Sequence, residues 1–112
     1  MTLPFSKTRQ IGDQLWLSGE LGMEEDGSFA PEIARQTDRM MEKISATLEG
    51  AGYGLSDVFA CTVYLTDSAD FAAFNQAYAR WFSAPLPVRA TVQAGLMLPG
   101  AKVEISVVAA KG

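Results

Sequence analysis

The chain has 112 residues, 48% hydrophobic and 20% charged, with 9 Lys+Arg against 13 Asp+Glu for a net charge of -4. That length suits one domain, 1–112, and the acidic balance speaks against nucleic acid as a main partner, because neutralising phosphates takes clustered Lys and Arg. With no His and a single Cys, one chain holds no Ser-His-Asp or Cys-His catalyst, no His-containing or Cys-rich metal site and no internal disulfide, so chemistry falls to Arg, Lys, carboxylates, hydroxyls and backbone groups.

The opening Met-Thr-Leu-Pro-Phe-Ser-Lys lacks the charged-then-apolar pattern of a signal peptide, and no apolar run approaches the roughly 20 residues of a membrane helix. A reducing, cytoplasmic setting without membrane contact is the expectation. Gln14 to Ser18 reads as a strand, Leu15 and Leu17 on one face, Trp16 and Ser18 on the other. Glu24 to Ser28 is charged and contains Gly27, the mark of a solvated loop. Pro31 sits where a helix can begin, and Ile33, Thr37, Met40, Ile44 and Leu48 follow at helical spacing, ending near Gly50.

Asp57 to Thr66 is β-rich and mostly apolar on both faces, which predicts a central strand covered on both sides. Its lone Cys61 alternates with apolar neighbours and reads as a core residue. Phe71, Phe74, Tyr78, Trp81 and Phe82 make a second helical stripe, stopped before Pro85. Val88 to Ala94 and Lys102 to Ala110 close the chain as strands. The order predicts an α+β fold with two helices packed on one face of a mixed sheet. The other face then presents Val58, Ala60 and Val108, a bare apolar surface that predicts an oligomer.

Two charged residues stand in otherwise apolar strands. Arg89 shares a face with Thr91 and Gln93, and Glu104 lies inside Val103-Glu104-Ile105-Ser106-Val107. Each is either solvated at a sheet edge or partnered, because an unpaired buried charge is costly. An Arg in a cleft matches a carboxylate with its guanidinium fork, and a nearby Glu can position or deprotonate a water.

The stretch Pro87-Val88-Arg89-Ala90-Thr91-Val92-Gln93-Ala94-Gly95-Leu96-Met97, followed by Val103-Glu104-Ile105, resembles the C-terminal signature of the RidA/YjgF reactive-intermediate deaminase family. Leu17-Ser18-Gly19 resembles the family's early strand, and Phe71-Ala72-Ala73-Phe74-Asn75 its second helix, so the resemblance runs nearly end to end. It implies a chorismate-mutase-like α+β fold and a homotrimer whose sheets form a central barrel, with helices outside and sites in the clefts between subunits. It implies hydrolysis of small 2-imino or 2-enamino acids to 2-oxo acids and ammonia, without metal or organic cofactor.

By position, Arg89 matches the Arg that holds the substrate carboxylate and Glu104 the Glu beside the attacking water. Ser18 and Gly19 match residues lining the pocket. Phe5 and Thr91 fall at pocket positions where many active members carry Tyr and Cys, and Glu20 replaces a frequent Gln. These departures describe a divergent branch. They leave two functions open, a deaminase or a non-catalytic trimer that binds small carboxylates or a partner protein. A ribonuclease, also ascribed to the family, fits poorly with the acidic charge and the lack of His.

Overall fold

A computed structural model describes residues 2–112. Six strands form one sheet: β1 (Thr8–Ile11), β2 (Gln14–Leu17), β3 (Glu20–Leu21), β4 (Val58–Leu65), β5 (Val88–Gln93) and β6 (Val103–Ala110), in the order β1-β2-β6-β4-β5 with β3 also on β6. Helix α1 (Ile33–Gly50) and helix α2 (Phe71–Ala79) pack side by side over one face. The sheet is mixed, as the sequence predicts. All pairs are antiparallel except β4 and β5, which are joined through α2 and run parallel.

The core lies between the helices and the odd-numbered side of β6. Val103, Ile105, Val107 and Ala109 alternate inward beneath Met40, Met41, Ile44 and Leu48 of α1 and Phe74 of α2. Full burial of each large side chain contributes roughly 1.5–3 kcal/mol, so this period-2 and period-3.6 match is what docks the helices.

Several expectations need correcting. The central strand is β6, and β4 lies next to it with its outer face uncovered within the chain. Val58 is not on that bare face. A register irregularity between Val58 and Ala60 turns Val58 into the core and leaves Phe59 outside, 42% exposed. Pro31 lies ahead of the first helix, which starts at Ile33 after an extended Glu32. The second helix stops at Ala79, and Trp81 and Phe82 pack on the core from the turn beyond it.

The helix-free face carries three cross-strand rows: Val88–Ala60–Val108–Trp16, Ala90–Thr62–Ser106, and Val92–Tyr64–Glu104–Leu21. Trp16, Phe59, Val88 and Val92 are all large, apolar and exposed there.

Gln36 binds the connections to this frame. It is fully buried on α1, donates from Nε2 to the carbonyls of Ala30 (2.7 Å) and Gly100 (2.9 Å), and accepts the Lys102 amide at Oε1 (2.8 Å). The loop leading into β6 is thereby fixed to the helix.

Candidate functional site

Arg89 sits on the edge strand β5, paired in register with Cys61, so it points to the helix face. Its guanidinium carbon lies 4.8 Å from the Tyr78 ring centre, 5.3 Å from Phe74 and 5.9 Å from Phe71. Stacking on aromatic faces favours a cation there. Its Nη2 donates to Asn75 Oδ1 at 2.8 Å. Among the described residues no carboxylate pairs with it. The result is a half-buried cation, held at a defined angle, with donors to spare. Asn75, which the sequence marks only through the resemblance of its helix to the family's second helix, is what orients it.

A cleft of about 520 Å³ opens at this guanidinium, between the end of α2 and the Leu86-Pro87 approach to β5. Thr91, two residues along the same face, lines a neighbouring depression with Ser68 and Phe71. Beneath Arg89, the Tyr78 hydroxyl donates to Cys61 Sγ at 3.6 Å. Burial pushes the Cys61 thiol and the Tyr78 phenol above their ordinary pKa values, so both stay protonated and Cys61 is a core residue.

Glu104 lies elsewhere. It pairs with Tyr64 and Leu21, on the face opposite Arg89. Its carboxylate rests against the backbone of Gly19, where a Cβ would overlap Oε2. Burial, and secondarily the charge of Glu20, raise its pKa. Ser18 and Gly19 link β2 to β3, and Ser18 Oγ donates to the Ser6 carbonyl at 2.6 Å, tying in the N-terminal segment. That segment places Phe5 over a second cleft of about 250 Å³ with Ser18, Gly19 and Ile44.

Glu20 points the other way from Glu104, toward α1, where Lys43 Nζ meets it at 3.0 Å and Lys7 at 3.8 Å. Lys43 also donates to the Leu21 carbonyl at 3.1 Å. Two lysines thus offset part of the negative charge that distinguishes this chain. The acidic loop is exposed from Glu25 to Ser28, as its composition predicts, and only Glu24 is drawn back, accepting from both Arg35 Nε and Nη2 at 2.8 Å. Among the described residues no group of His, Cys, Asp or Glu is placed to hold a metal ion, and no helix is long and apolar enough to cross a membrane.

The predicted site residues thus fall into two separate groups. Arg89 and Thr91 belong to the β5 edge, while Phe5, Ser18, Gly19 and Glu104 belong to the β2–β3–β6 side. From β5 to β2 there are three strand spacings, roughly 14 Å at about 4.8 Å each, and Arg89 and Glu104 face opposite ways.

The match to the family described as Endoribonuclease L-PSP spans residues 1–111. The chain belongs to the YjgF/RidA/RutC family. It is 38% identical over 110 residues to a RutC family protein of Saccharolobus solfataricus, covering 96% of this chain and 87% of that one. It is 35% identical over 108 residues to the chloroplastic Reactive Intermediate Deaminase A of Arabidopsis thaliana, covering 95% of this chain and 58% of that longer protein. Among solved structures, RidA of an Antarctic Psychrobacter superposes with a TM-score of 0.91 at 32% identity, over 99% of this chain and 91% of that one. TdcF of Escherichia coli with bound serine also gives 0.91, at 26% identity, over 100% and 91%.

Proposed function

We propose that this family member is a deaminase that hydrolyses 2-imino acids, and their 2-enamino tautomers, to 2-oxo acids and ammonia, with sites shared between the subunits of a homotrimer. The observation that carries this reading is Arg89, a half-buried guanidinium fixed by Asn75 and without a carboxylate of its own. Such a group binds a ligand carboxylate through two parallel hydrogen bonds. The deaminase homologue at 35% identity and the serine-bound TdcF support the substrate class, since serine is itself a small amino acid carrying the carboxylate an Arg would hold.

In the mechanism, Arg89 and the free Asn75 amide orient the substrate by its carboxylate. The C=N carbon of a protonated imine is already electrophilic, so the protein has mainly to orient it and deliver water. Glu104, from an adjacent subunit, accepts a proton from that water as its oxygen bonds to carbon. Return of that proton to the nitrogen of the resulting carbinolamine lets ammonia leave, while Glu104 takes the proton of the carbinolamine hydroxyl to give the carbonyl. The backbone at Gly19 passes close because it lacks a Cβ, giving Glu104 room to reach the shared cleft. No metal or organic cofactor enters these steps. The single buried Cys61 suits a reducing cytoplasm.

Trimerisation is supported by the apolar helix-free face and by the division of the site into halves that one chain holds apart. A non-catalytic carboxylate-binding trimer is the second reading, favoured by Phe5, which brings no hydroxyl, and by Ser18, whose own is spent on Ser6. One experiment separates them. Freshly generated 2-iminobutanoate and 2-iminopropanoate are trapped with semicarbazide in competition with the protein. Acceleration by wild type and none by Arg89→Ala supports the deaminase. A folded wild-type trimer that leaves both imines untouched rejects it in favour of the binder.

A further inference from the structure

The cleft beside Arg89 is lopsided in its chemistry. At one end are the guanidinium and Asn75, and the remaining walls are Tyr78, Phe82, Leu86 and Pro87, with Ala79 at the rim. Tyr78 presents its ring, because its hydroxyl is turned inward to Cys61. Among the described residues that line it, Arg89 alone is charged. Arg80, which follows Ala79 in the chain, is engaged with Asp38 at 3.3 Å. Within a single chain the cleft measures about 520 Å³, inside the roughly 300–1,000 Å³ typical of small-ligand sites. Within one chain Leu86, at its mouth, is 67% exposed.

A site with one cation and otherwise carbon walls is complementary to a ligand with one carboxylate and an apolar tail. We infer that this cleft receives the substrate side chain and makes the protein selective for 2-imino acids with bulky apolar side chains. A methyl side chain leaves the walls wetted. A second carboxylate would be buried against Phe82 and Leu86 without a partner, which is costly. Each methylene placed in such a pocket is worth roughly tenfold in discrimination, so an isobutyl group should outweigh a methyl by at least that factor. The inference takes its carboxylate anchor from the deaminase reading, but it concerns binding and is testable without turnover.

The test is a calorimetric titration of the intact protein with three 2-oxo acids, the products of the reaction: pyruvate, 4-methyl-2-oxopentanoate and 2-oxoglutarate. The expected result is that 4-methyl-2-oxopentanoate binds at least tenfold tighter than pyruvate, with 2-oxoglutarate no tighter than pyruvate. Ala79→Leu fills the cleft from an exposed position at the end of α2, where leucine is a good helix former, and should bring the ratio close to one. Equal affinities for the first two acids, or a ratio that Ala79→Leu leaves in place, would overturn the inference. Turnover of the matching imines is followed in parallel. A preserved binding ratio without turnover upholds this inference and removes the deaminase reading alone, whereas turnover without any ratio does the reverse.

Discussion

Arg89 draws its importance from what surrounds it. Three aromatic rings and one amide hold the guanidinium, and no carboxylate neutralises it. Arg89→Ala removes both charge and orientation, and kcat/KM for a 2-imino acid should fall at least about 100-fold. Arg89→Lys should recover only part of this, because an ammonium cannot reproduce the two-pronged contact. Steady-state kinetics on the three proteins checks both statements. Glu104 makes a pH prediction. Burial and the Glu20 charge favour its protonated form, so it loses its proton above the ordinary carboxylate range. A base works only when ionised, so kcat/KM should decline as pH falls through that raised value. Glu20→Gln removes a negative neighbour and should move this acidic limb to lower pH, while an unmoved limb would separate Glu104 from the rate. Arg89 and Glu104 stand out in the sequence because a charge inside an apolar strand breaks a pattern, but that pattern leaves each either solvated or partnered, and their roles come only from the family resemblance. Asn75 was not legible as a site residue, since a neutral amide on a helix breaks nothing, and its role appears only when the fold brings it across to β5.

At the scale of elements, the helical and strand periods were readable and their phases were not. The core stripe of α1 runs through Ile33, Thr37, Met40, Ile44 and Leu48 as the spacing predicts, because one buried face selects every third or fourth residue. Val58 escaped, because a bulge is set by pairing with β6 and leaves no mark in the strand's own alternation. Gln36 escaped too. On hydropathy it is an interruption in the stripe, and only the positions of Ala30, Gly100 and Lys102 make it welcome in the core. Its three hydrogen bonds end on backbone groups that would be left unpaired without it. Gln36→Leu should therefore cost about 2–4 kcal/mol of unfolding free energy, read as a lower urea midpoint with little change in slope. A change under about 0.5 kcal/mol would mean that water satisfies those groups equally well.

At the scale of the whole molecule, the sheet has one face inside the protein and one without a cover. Trp16, Phe59, Val88 and Val92 lie on the uncovered side of strands whose opposite side is packed core. Contiguous apolar surfaces of this kind mark interaction sites, and the proposed trimer covers this one. Sedimentation should give three times the 12.0 kDa of one chain, and Val92→Asp should shift the mass toward the monomer by placing a charge in the contact. Unchanged mass in that variant would move the interface elsewhere. The placement of Arg89 and Glu104 on opposite faces of one sheet also has a genetic consequence. In the proposed trimer no polypeptide owns a complete catalytic unit, so damage in two different chains need not add up. Arg89→Ala and Glu104→Ala, each inert alone, should regain activity when unfolded and refolded together. Some junctions of a mixed assembly then join the intact arginine of one chain to the intact glutamate of another, and two null alleles complement each other within a single gene.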